Sequence, residues 1–193
     1  MHLMFGARLE SRAQVNCVSM ERSAHAGKAL HRGETLILGV GNPLYGDDGA
    51  GPRLVEMLSE RALPPNVYAQ DAGLPGWGLP SWLEGWETVF LVDAVDMGLE
   101  AGSWRRFRPE EVKLWLQDGN LSLHQPDLAC GLALAQALDF LPEHLYFYGV
   151  QPAQTDLGLP LSPQVSACLP GLADQIILDL GKTKHDSKAH PHC

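Results

Sequence analysis

Between Leu36 and Gly51 an apolar run, Leu36-Ile37-Leu38-Gly39-Val40-Gly41, passes through glycines into two adjacent carboxylates, Asp47 and Asp48. The run is apolar at consecutive positions rather than alternate ones, which is the pattern of a strand covered on both faces, as in a parallel sheet. Leu54, Val55 and Leu58 then follow at helical spacing, so the segment reads as a strand, a turn and a helix. Asp47 and Asp48 fall where strand gives way to helix. In open α/β sheets ligands bind there, outside the carboxyl ends of the strands.

Gly39-Val40-Gly41 resembles the opening of a dinucleotide fingerprint, but that pattern needs a third glycine where this chain has Leu44. Pro43 also removes a backbone N–H that would face a pyrophosphate, and two carboxylates near the helix start would repel one. No Gly-Lys-Ser/Thr follows, so a phosphate-binding loop of that kind is absent as well.

The rest of the chain repeats the alternation. Residues 48–61 read as the first helix, and Pro64-Pro65-Asn66 turns into a second extended segment over residues 67–72. A glycine-rich loop around Trp77 leads to a short helical stretch holding Trp82 and Leu83. Residues 88–92 form the next buried strand, ended by Asp93, and residues 103–107 a short one. Pro109-Glu110-Glu111 opens a helix carrying Val112, Leu114 and Trp115. His124-Gln125-Pro126-Asp127 precedes an apolar helix over 128–138, residues 145–150 make a further strand, and Ser162-Pro163 begins a last helix through about Leu180. Strands and helices in this order predict a three-layer α/β/α domain with a mostly parallel sheet of about five strands.

A chain of 193 residues with 45% hydrophobic content suffices for one core. Residues 34–181 are taken as the single domain, 1–33 as a disordered extension and 182–193 as a flexible tail. The extension holds five basic and two acidic side chains and no apolar run long enough for a signal peptide. The formal net charge of −9 argues against nonspecific binding to nucleic acid or anionic membranes. Cys17, Cys130, Cys168 and Cys193 show no C-x-x-C spacing, so a reducing cytoplasm is the expected setting. Cys130 and Cys168 fall in helical patterns and read as buried structural residues rather than nucleophiles.

Asp48, Asp93 and His124 each lie at or just beyond a segment that should be buried, and together they form an oxygen-nitrogen ligand set suited to zinc or nickel. Each also has an ordinary structural reading. Asp48 can be an N-cap, Asp93 a turn cap, and His124 a loop residue before an N-cap at Asp127. Asp47 reads as the solvent-facing neighbour or an Asx-turn former. Trp77 and the loop around Gln151 and Thr155 are candidates for gripping a polypeptide, with core or lid packing the commoner role for Trp77. His185, His190, His192 and Cys193 read as part of the mobile tail.

Gly39-Val40-Gly41-Asn42, Asp47-Asp48-Gly49-x-Gly51, Val92-Asp93-Ala94-x-Asp96, His124-Gln125 and Gly149-Val150-Gln151-Pro152 together resemble the hydrogenase maturation endopeptidase family over about residues 35–180. The resemblance implies an endopeptidase that removes the C-terminal extension from a nickel-loaded large-subunit precursor of a nickel-iron hydrogenase. It implies Asp48, Asp93 and His124 as the metal-contacting residues, with Asp48 catalytic. The nickel would come with the substrate, so no permanent cofactor is expected, and zinc or cadmium would substitute in vitro. The precursor is the implied partner, with neither nucleic acid nor membrane. A noncatalytic metal-binding or chaperone module on the same fold is the competing reading.

Overall fold

The computed structural model describes residues 31–107, 111 and 126–186. Five strands, β1 (His31–Gly39), β2 (Val67–Asp71), β3 (Trp86–Ala94), β4 (Trp104–Phe107) and β5 (His144–Val150), form one sheet in the order β2-β1-β3-β5-β4. The first four in that order run parallel, and β4 pairs antiparallel with β5 at the edge. The helices are α1 (Ala50–Ser59), α2 (Leu79–Leu83), α3 (Pro126–Ala137) and α4 (Pro163–Asp186).

Side-chain alternation along the central strands assigns the layers. Leu36 and Leu38 of β1, with Val89 and Leu91 of β3, pack with Leu79 and Leu83 of α2 and Leu128 and Ala135 of α3. Ile37, Phe90 and Val92 point the other way and meet Leu54 and Leu58 of α1 and Leu169, Leu172 and Ile176 of α4. The sheet is covered on both faces, which is why β1 and β3 lack the polar alternation of a half-exposed strand.

The strand order reverses between β1 and β3. From β1 the chain moves to one side, to β2, and after β3 it builds the other side. That reversal opens a crevice above the carboxyl ends of β1 and β3, where a doubly wound sheet accepts its ligand.

Boundaries differ from the sequence reading at three functional points. The first helix starts at Ala50, behind a separate 3₁₀ turn over Gly46–Gly49. Asp93 lies inside β3 rather than after it, paired in register with Gly149 of β5. The third helix begins at Pro126, so Asp127 lies within it instead of capping it. The last helix runs on to Asp186. The helix expected from Pro109 through Trp115, apart from Glu111, and His124 lie outside the described residues, as do Cys17, His190, His192 and Cys193. Among the described residues no helix is long and apolar enough to cross a membrane.

Candidate active site

The turn between β1 and α1 is shaped by glycines that allow backbone to meet backbone. Gly41 has φ 129°, a region that L side chains rarely adopt, and a Cβ there would stand 1.8 Å from the Asp48 carbonyl oxygen. Gly51 brings the first turn of α1 onto the sheet, where a Cβ would lie 2.4 Å from the Val40 oxygen and 2.6 Å from that of Val92. Gly41, part of the run that looks like a nucleotide fingerprint, and Gly51 therefore serve to fold the aspartate turn down between β1 and β3.

Asp48 is buried, and its Oδ2 accepts the Asn42 N–H at 2.7 Å. It is not a helix cap: Gly49 precedes α1, and no side chain caps that helix. Asp93, buried beside it on β3, accepts the Ala94 N–H at 2.8 Å. Burial, and then the charge of Asp48, push the Asp93 carboxyl well above the usual carboxylate range, against the lowering effect of the Ala94 N–H. Two buried carboxylates close enough for the charge of one to raise the proton affinity of the other are arranged for a shared cation or a shared proton. Among the described residues no group of three His, Cys, Asp or Glu side chains forms a metal-binding set, and the third residue of the expected set, His124, lies outside them.

Asp47 does not face solvent. It is fully buried, and it does not form the Asx turn, which belongs to Asn42, whose Oδ1 accepts the Leu44 N–H at 3.0 Å. The Asp47 carboxylate instead accepts three backbone N–H groups of the segment between β5 and α4. Oδ2 takes those of Ala153 at 2.8 Å and Gln154 at 3.1 Å, and Oδ1 that of Ser162 at 2.6 Å. Its own N–H donates to the Gln154 carbonyl at 2.9 Å. Asp47 is thus the clamp between the aspartate turn and the last loop, a role sequence reasoning missed. The available signal was the adjacency itself, since two consecutive carboxylates in a tight buried turn cannot both be solvated.

Gln151 is likewise a brace. Its Oε1 accepts the N–H groups of Met97 at 2.7 Å and Leu99 at 3.1 Å, and its Nε2 donates to Asp96 at 3.1 Å, fixing the loop after β3. Trp77 is 65% exposed and belongs to neither core cluster, so of the core or lid packing expected for it the core role is excluded. Cys130 and Cys168 are free and partly buried. Burial raises the Cys168 thiol above its usual range, which suppresses the thiolate a nucleophile needs.

The family model for hydrogenase maturation proteases matches residues 52–179. The chain belongs to that family. The match begins after Asp48 and does not rest on the glycine-aspartate turn. Among curated relatives, the hydrogenase expression/formation protein HupD of Bradyrhizobium diazoefficiens is 37% identical over 153 residues, 77% of this chain and 80% of that protein. The HupD of Thiocapsa roseopersicina is 39% identical over 68% of this chain and 61% of its own length. The hydrogenase 2 maturation protease of Escherichia coli is 32% identical over 75% and 89%. Among solved structures, the maturating endopeptidase HybD of Escherichia coli superposes with a TM-score of 0.69 at 30% identity, over 78% of this chain and 93% of that one. The protease family and the α/β fold read from the sequence are both confirmed by these matches.

Proposed function

We propose that this peptidase cleaves the C-terminal extension from a nickel-loaded large-subunit precursor of a nickel-iron hydrogenase, and that Asp48, Asp93 and His124 meet the nickel carried by that substrate. The observation that carries the reading is the pair of buried carboxylates, Asp48 and Asp93, side by side at the strand-order reversal, with the Asp48 charge raising the Asp93 carboxyl. Topology supports the third member. Helix α3 returns the chain to the start of β5, so its first residue, Pro126, belongs to the carboxyl end of the sheet, two residues after His124.

In this reading the metal of the precursor first locates the substrate. Two oxygens and an imidazole nitrogen leave open positions on a divalent ion, so the nickel can be shared between enzyme and precursor. Holding the ion fixes the scissile bond beside Asp48, which supplies the general base toward water. A precursor without nickel lacks that anchor and is left uncut.

Mass spectrometry of the nickel-loaded precursor incubated with the protein tests the reading. The expected result is loss of the C-terminal peptide, with none from precursor lacking nickel and none with Asp48→Asn, Asp93→Asn or His124→Ala. Complex formation with unchanged precursor mass would instead favour the noncatalytic chaperone. Normal processing by all three variants would overturn the site assignment.

A further inference from the structure

Large apolar side chains exposed to water are concentrated at one end of the molecule. Of the ten such side chains among the described residues, seven lie in the loops after β1, β2, β3 and β5, including Leu44, Leu74, Trp77, Leu99 and Leu157. Those loops surround the crevice that holds Asp48 and Asp93. Exposed apolar side chains scattered singly are ordinary, whereas a gathering of them at one end marks a site of interaction.

Hydrogen bonds tie the four loops to one another. The Gly41 N–H donates to the Gly73 carbonyl at 2.8 Å, and the Gly158 N–H to that of Leu44 at 2.7 Å. Gly46 bonds to Leu159 at 3.1 Å, and Gly102 to the Gln151 carbonyl at 2.9 Å. Trp77 sits on a 3₁₀ turn pressed against Gly131 of α3, where a Cβ would come within 2.5 Å of the Gly76 oxygen. The rim is a held surface, with a pre-placed aromatic of the kind that anchors protein interfaces.

Its charge is of one sign. Residues 41–49, 72–78, 95–103 and 151–162 contain five aspartates and glutamates and not one lysine or arginine. Asp96, Glu100 and Asp156 are exposed among them. A surface that is apolar and anionic repels acidic partners and steers cationic ones toward it.

We propose that this rim is the docking face for the precursor, resting on the peptidase reading above, and that the precursor surface around the cleavage point presents apolar side chains flanked by cationic ones. The rim then holds the protein substrate independently of the nickel contact.

Binding and cleavage of nickel-loaded precursor by the full chain, measured at low and high salt, test the proposal. Trp77→Ser with Leu157→Ser should raise Kd and KM about tenfold or more with a much smaller change in kcat, and Trp77→Phe should restore most of the affinity. Glu100→Lys with Asp156→Lys should weaken binding and flatten the salt dependence that the wild type shows. Unchanged KM in both double variants, with the wild type cutting normally, would overturn the docking face and leave the peptidase reading intact. A dimer that Trp77→Ser with Leu157→Ser dissociates without change in KM would give the rim to a second copy of the chain and overturn the proposal. Binding without cutting would overturn the peptidase reading, and Kd of the same variants would then decide the docking face. Neither binding nor cutting by the wild type would overturn both.

Discussion

At the scale of single residues, the adjacent aspartates divide their labour by direction. Asp48 faces the crevice and Asp93, whereas Asp47 turns inward to three amide donors. Asp47→Ala removes the acceptor of three N–H groups, of which that of Ser162 is buried and left orphaned while those of Ala153 and Gln154 lie nearer solvent, so chemical denaturation should show a loss of about 1–3 kcal/mol. Asp93 behaves oppositely. Its carboxyl holds a proton to higher pH when folded than when unfolded, so its contribution to stability falls as pH rises from the unfolded value, about 4, through the raised folded value. Asp93→Asn should therefore raise the Tm at neutral pH, and the gain should shrink toward acid pH, while cleavage is lost. Adding zinc or cadmium should raise the Tm of the wild type and leave Asp93→Asn unmoved. Sequence reasoning singled out Asp48 and Asp93 because each lay at or just beyond an apolar segment that should be buried. It misplaced Asp47 because the donors that bury it come from residues more than a hundred positions later.

At the scale of elements, the parallel strands were legible because burial on both faces leaves an apolar run that little else produces. Val89-Phe90-Leu91-Val92 is such a run, and each of these four side chains is fully buried. The aspartate turn was harder to read, since a 3₁₀ turn followed by a helix has the same apolar spacing as one longer helix. What distinguishes them is close packing: Gly41 and Gly51 occupy places with no room for a Cβ. Gly51→Ala should push α1 off the sheet at the Val40 and Val92 carbonyls, with loss of cleavage and a stability cost of about 1–3 kcal/mol, read from activity and thermal melts together.

Over the whole molecule, a second polar cluster holds α4 to the antiparallel edge of the sheet. Asp179 is buried, and accepts hydrogen bonds from Tyr148 Oη at 2.8 Å, Arg106 at 3.1 Å, Lys182 Nζ at 2.9 Å and Gln175 at 3.0 Å. Burial works to raise the Asp179 carboxyl, but the bonds from Lys182 and Tyr148 and the charge of Arg106 outweigh it and hold it below the usual range. Its stabilisation is thus complete above the ordinary carboxylate range and is lost as pH falls through the lowered value. Asp179→Ala should cost about 2 kcal/mol at neutral pH, and less in acid, by denaturant titration. In the sequence this residue was visible only as a charge on the apolar stripe of Leu172, Ile176 and Leu180, a position that calls for a partner without naming one. Its partners come from β4, β5 and α4 itself, which no local pattern connects. The clamp made by Asp47 has a similar reach along the chain, and with it a consequence for the order of assembly. The turn that presents Asp48 leaves the ribosome well before the amides that fix it, which emerge more than a hundred residues later with Ala153, Gln154 and Ser162. A nascent chain therefore carries these aspartates without their clamp until the segment between β5 and α4 has emerged, and its proteolytic competence waits on that segment.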